Sequence, residues 1–149
     1  MIEVNNCNKA IDNIALLVKN LIKINQHRNF DIVQVHFYNI FDTSYGTTPR
    51  LLNNGEILTY INVPNDDDFD IFDSLLFLRD TILKEIGKRI WGLTYTLYPD
   101  GKYEIEYDYN VPEGFNEKGE WVGEEYENGE VSEFFDNIRN IGTDDFELK

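Results

Sequence analysis

The apolar positions of this chain change period along its length. Between Asn8 and about Gln26, residues Ile11, Ile14, Ala15, Val18, Leu21 and Ile22 recur at steps of three and four, which places them on one helical stripe. Asn8 stands where an N-cap is expected. From Phe30 to Phe41 the segment FDIVQVHFYNIF is β-branched and aromatic, as a strand requires. Gly46, Pro49 and the Asn54–Gly55 pair then mark turns, and Glu56–Val63 predicts a second strand, ended by Pro64 and Asn65. A second helix follows over about Asp67 to Lys88. Its stripe is Phe69, Phe72, Leu76, Leu83 and Ile86, widened by Ile71, Leu75, Leu78 and Ile82. Asp66, Asp67 and Asp68 at its start and Lys84, Lys88 and Arg89 at its end both suit the helix dipole. The Asp triplet lacks the glycine-bearing spacing of a calcium loop, so it is read as capping.

Period two returns in TYTLYPDGKYEIEYDYN, Thr94 to Asn110. Pro99 suits the first central position of a turn and Gly101 supplies its left-handed residue, which closes a three-residue loop between Tyr98 and Lys102. Counting outward pairs Leu97 with Tyr103, Tyr95 with Ile105, Leu93 with Tyr107 and Trp91 with Tyr109, one face built for a core. The other face pairs Thr96 with Glu104, Thr94 with Glu106 and Gly92 with Asp108. Three carboxylates therefore share one surface.

After Asn110 the chain turns loop-like, with Gly114, Gly119, Gly123 and Gly129 among seven Glu and one Lys. It keeps Phe115, Trp121, Val122 and Tyr126, aromatic and apolar residues that a disordered tail usually lacks, so an ordered flap docked at those points is expected. Val131–Ile141 is read as a short last helix. The order of helix, strands, helix, hairpin and helix predicts an α+β fold, a largely antiparallel sheet covered by helices. The length of 149 residues suits one domain, 1–149, with an acidic Gly-rich extension at about 111–130.

Charge changes the picture. The formal net charge is −15, and it is uneven: residues 1–99 carry 12 acids and 9 bases, whereas residues 100–149 carry 16 acids and 4 bases. Such a field repels phosphates and anionic lipid, so neither direct nucleic-acid binding nor membrane binding is expected. The single cysteine, Cys7, has no internal disulfide partner, which fits a reducing cytoplasm. The start shows no charged-then-apolar leader and no run is long enough to span a bilayer. A cytoplasmic protein is the expectation.

No catalytic pattern emerges. His27 and His36 are the only histidines, and neither is spaced with a cysteine or a second histidine as zinc would need. There is no phosphate loop and no Ser-centred elbow. No metal, no cofactor and no enzymatic activity are therefore expected. Binding remains. An exposed row of Glu104, Glu106 and Asp108, followed by an acidic loop carrying Trp121, Glu124, Glu125 and Tyr126, suits a basic protein partner: charge speeds encounter and aromatic anchors hold the complex. The competing reading is a solvated sheet face, in which carboxylates only keep an antiparallel sheet soluble.

The arrangement of an amphipathic first helix, a strand pair, FDSLLFLRD on a central helix, and then Trp91, Leu97, Asp100, Gly101, Lys102, Tyr103, Ile105, Tyr107, Asp108 and Tyr109 resembles the YezG-like family of bacterial immunity proteins. The similarity is firmest over Asp70–Asn110. It implies an immunity protein that neutralises a cognate polymorphic or contact-dependent toxin, a nuclease by preference, by non-covalent binding. Partner contacts vary with the toxin in that family, so the site residues named above rest on surface chemistry. The alternative is an acidic module that mimics nucleic acid and binds a basic host protein.

Overall fold

The computed structural model describes residues 2–123, with side chains from residue 7 onward. The chain divides after Val111 into two units. The first holds helix α1 (Ile2–Ile24), strands β1 (Ile32–Tyr38), β2 (Gly46–Asn53) and β3 (Glu56–Ile57), helix α2 (Ile71–Ile86), and strands β4 (Gly92–Leu97) and β5 (Tyr103–Asp108). The strands form one antiparallel sheet in the order β3-β2-β1-β4-β5. Both helices pack on the same face, so the fold is α+β, as its pattern of periods implies.

The core lies between helices and sheet. Ala10, Ile14, Leu17, Val18 and Leu21 of α1 meet Ile71, Leu75 and Leu78 of α2, over Val33, Val35, Phe37, Leu51, Leu93 and Tyr95 of the sheet. α1 starts six residues earlier than Asn8, which is therefore interior to the helix and caps nothing. Cys7 continues the buried stripe one turn N-terminal to Ala10 and Ile11, so packing outweighs the few tenths of a kcal/mol by which each asparagine disfavours helix. Asn25, wholly buried just past the helix end, donates to the Leu21 and Asn62 carbonyls (2.8 and 2.7 Å) and accepts from the Asn62 N–H (2.9 Å). That exchange fastens the segment after β3 to α1.

The second helix also differs from its predicted form. Asp66–Phe69 is a 3-10 turn capped by the Asn65 side chain, which accepts from the Asp67 N–H. Asp70 then adopts a left-handed conformation (φ 51°), one that aspartate tolerates better than most residues, and α2 begins only at Ile71. Ile71, Leu75 and Leu78 are its buried line, Phe69, Leu76 and Ile82 pack partly buried beside it, and Leu83 and Ile86 near its end are exposed.

The region read as turns is largely strand. β2 pairs with β1 from Gly46 to Leu52, Val35 opposite Pro49, and only Leu52 and Asn53 have a partner in β3. Pro49 thus sits on an open stretch of edge, where its missing N–H leaves no ladder bond unmade. The predicted strand Glu56–Val63 shrinks to two residues.

In the second unit, residues 112–123 form a small turn. Asn116 accepts from the Lys118 and Glu120 N–H groups and donates to the Glu120 side chain. Phe115 bridges to Trp121, ring against ring edge-on at 5.2 Å. Gly114 and Gly123 lie under the Trp121 indole, where any Cβ would strike the ring. The expected helix Val131–Ile141 and the residues Glu124, Glu125 and Tyr126 lie outside the described residues.

Candidate partner-binding face

The β4–β5 hairpin adopts the predicted register: Leu97 opposite Tyr103, Tyr95 opposite Ile105, Leu93 opposite Tyr107, and Thr96, Thr94 and Gly92 opposite Glu104, Glu106 and Asp108. The turn sets this phase. Gly101 holds φ 86°, its N–H reaches the Tyr98 carbonyl, and the Tyr98 N–H reaches Lys102. Leu93 and Tyr95 enter the core, and Leu97, Ile105 and Tyr107 pack half-buried against it.

Three members of the expected core face are placed differently, among them Tyr109, which lies past the end of β5 and is exposed. Tyr103 is 54% exposed because β5 is the last strand of the sheet; its ring lies parallel to that of Tyr95, 5.2 Å away. Trp91 is buried, but outside the main core cluster and outside the ladder. Its N–H donates to the Asp108 carbonyl (2.7 Å), although Asp108 already has Gly92 as its partner. Two residues facing one is a β-bulge, and the extra residue shifts the alternation. Ile90 therefore points into the core together with Leu93, while Trp91 packs against the edge of Phe41 and under the Arg89 guanidinium, 3.7 Å from the ring centre.

On the face away from the helices, the register aligns side chains into rows across four strands. One row runs Arg50, Gln34, Thr96, Glu104; the next runs Thr48, His36, Thr94, Glu106. Gln34 donates to Thr96 (3.2 Å) and accepts a long contact from Arg50 (3.5 Å). His36 Nδ1 is 2.8 Å from the Thr94 hydroxyl, and its ring stacks on Tyr38, which in turn covers Gly46. Burial, then the charge of Arg50, lowers the His36 pKa from its usual 6.5, with Asp108 opposing. His36 is thus neutral at pH 7. At the β5 end the charge reverses. Glu104, Glu106 and Asp108 are exposed, and residues two apart along a strand are about 7 Å apart. Tyr98 donates weakly to Glu104 (3.4 Å), and slight desolvation together with Glu104 and Glu106 raises its hydroxyl pKa. Asp108 also accepts from the Asn110 N–H, which ends the strand.

The face is therefore polarised, with Arg50 at one side and three carboxylates at the other. Sequence reasoning placed the trio but missed Arg50, Gln34 and Thr48. The alternation of Gln34, His36 and Tyr38 against Val33, Val35 and Phe37 carried the signal for β1. Arg50 was hidden by the turn reading of its segment. Of the remaining candidates, Trp121 is half-exposed in the second unit. Among the described residues, no group of three His, Cys, Asp or Glu side chains could hold a metal ion, and no helix is long and apolar enough to cross a membrane. No protein-family model matches the chain, nor does any curated protein.

Proposed function

We propose that this protein is an immunity protein, one that binds and neutralises a cognate bacterial toxin domain with a basic surface, a nuclease in the first instance. The observation that supports this is the row of Glu104, Glu106 and Asp108, exposed and held at a fixed spacing on the side of a five-stranded sheet away from both helices. A nuclease must attract phosphate, so its substrate cleft is cationic, and a rigid anionic strand is complementary to it. The resemblance over Asp70–Asn110 points the same way. Neither a catalytic role nor a cofactor is part of this reading, and the cytoplasm is the compartment in which such a protein would act.

The test has two steps. The tagged full chain is used to capture its partner from its own host, and the purified pair is then assayed for loss of the partner's toxic activity at equimolar ratio. A captured cationic toxin domain that is silenced stoichiometrically supports the proposal. Capture of a basic DNA- or RNA-binding host protein with no toxic activity would transfer support to nucleic-acid mimicry.

A further inference from the structure

The two edges of the sheet are unequal. β3, at one edge, is two residues long and offers almost no template for another strand. β5, at the other, runs unbroken for six residues, and among the described residues no strand pairs with its outer side. It carries no proline and no lysine, two of the usual guards of an exposed edge. Because the Tyr98 N–H bonds the Lys102 carbonyl, alternation turns the backbone groups of Glu104, Glu106 and Asp108 toward β4. The N–H and C=O groups of Tyr103, Ile105 and Tyr107 therefore point outward, without a ladder partner among the described residues.

We infer that β5 recruits a strand of the partner protein as a sixth strand of this sheet, and that the strand it accepts alternates Lys or Arg with apolar residues. Its cationic side chains would lie beside Glu104, Glu106 and Asp108, and its apolar ones beside Tyr103, Ile105 and Tyr107, where Tyr103 is left more than half exposed. Cross-strand pairs of opposite charge stabilise a sheet, and like charges directly opposite destabilise it. That rule selects among occupants. Antiparallel pairing of β5 with β5 of a second copy brings residues of the same face together, so carboxylate would meet carboxylate. The acidic row thus guards the edge against antiparallel pairing with itself while leaving it open to a basic strand. This mode rests on the partner-binding reading above but is tested separately from it.

The probe is a short synthetic peptide alternating lysine with valine and tyrosine, compared with a scrambled peptide of identical composition. Both are titrated into the full-length protein at low salt, with backbone amide exchange and shifts followed by NMR. The Tyr103, Ile105 and Tyr107 amides should exchange freely in the unliganded protein and become protected only with the alternating peptide. Tyr103→Pro deletes one outward donor and no ladder bond, whereas Tyr103→Ala removes the ring and keeps the donor. The proline variant should therefore bind about tenfold more weakly than the alanine variant, the size of one interfacial hydrogen bond, with both melting alike. Equal response to the two peptides, amides already protected in the free protein, or equal affinity of the two variants would overturn the inference. So would a dimer of the free chain that Tyr103→Pro dissolves. If the captured toxin is silenced equally by both variants, the immunity reading stands and strand addition falls; if the alternating peptide binds as described and no toxin is silenced, the reverse holds.

Discussion

The two faces of the β4–β5 hairpin differ in what their side chains do, although every residue on one face is covalently next to a residue on the other. Leu93 and Tyr95 are almost wholly removed from water, with Leu97, Ile105 and Tyr107 half removed behind them. Thr94 bonds His36 across the sheet, and Glu104, Glu106 and Asp108 are exposed to solvent. Burial decides stability on the first face, at about 25 cal/mol per Å² of apolar surface. Exposure leaves the second free to carry charge at little structural cost. The hairpin can therefore vary its surface chemistry without losing its fold.

The most severe way to break this contrast is on the core face. Leu93→Ala should cost about 2–5 kcal/mol, the range for a buried leucine emptied into a cavity. Tyr107→Ala, at a half-buried site near the edge, should cost about 1–2 kcal/mol. Glu106→Ala should stay within about 0.5 kcal/mol. Urea denaturation of the three variants measures the gradient, and a Glu106→Ala loss equal to that of Leu93→Ala would abolish the distinction.

Reversing Glu104, Glu106 and Asp108 together to lysine tests the open face. Association with the captured partner should slow about tenfold to a hundredfold at low salt, since steering by charge acts on the on-rate. Near 1 M salt, where the screening length is about 3 Å, most of that difference should vanish. Kinetics across a salt series give the result, and an unchanged association rate at low salt reduces the trio to a solvated face.

The smallest effects concern His36, where both ends of the polarised face are felt. Its folded pKa lies below its ordinary value, so the native state binds its proton less readily than the unfolded chain does. The resulting stabilisation is present above about pH 6.5 and is lost as pH falls through the folded pKa. Arg50→Ala should raise the His36 titration midpoint and Asp108→Asn should lower it, as followed by NMR of the imidazole. Shifts in the opposite directions would refute the charge gradient across the sheet.

Much of this was legible from the chain itself, for a physical reason. The Pro99–Gly101 turn permits one loop length, and one loop length permits one register, so every pair from Leu97–Tyr103 to Gly92–Asp108 follows from counting. Counting failed at Trp91 because a bulge adds a residue without leaving a local mark. It failed in β2 because Gly46 and Pro49 are punctuation in most contexts, and only the tertiary position of that edge makes them tolerable. Most of the apolar line of α2 was legible, but Leu83 and Ile86 are exposed, and the helix starts only after Asp70 where the sequence shows an uninterrupted run. Arg50 could not be seen as part of a site at all: its membership is created by neighbours on other strands.

The bulge at Trp91 has a consequence for how the gene can change. Ile90 and Leu93 both point inward, three positions apart, and regular alternation would not allow that. The inserted residue reconciles the phase of the incoming chain with that of the hairpin. A single-codon deletion at this junction would remove the reconciliation and force a choice. Either the ladder is kept and Ile90 leaves the core, or Ile90 stays and the three carboxylates turn toward the helices. Length variation among descendants of this sequence should accordingly avoid the junction and gather in loops where parity is not counted.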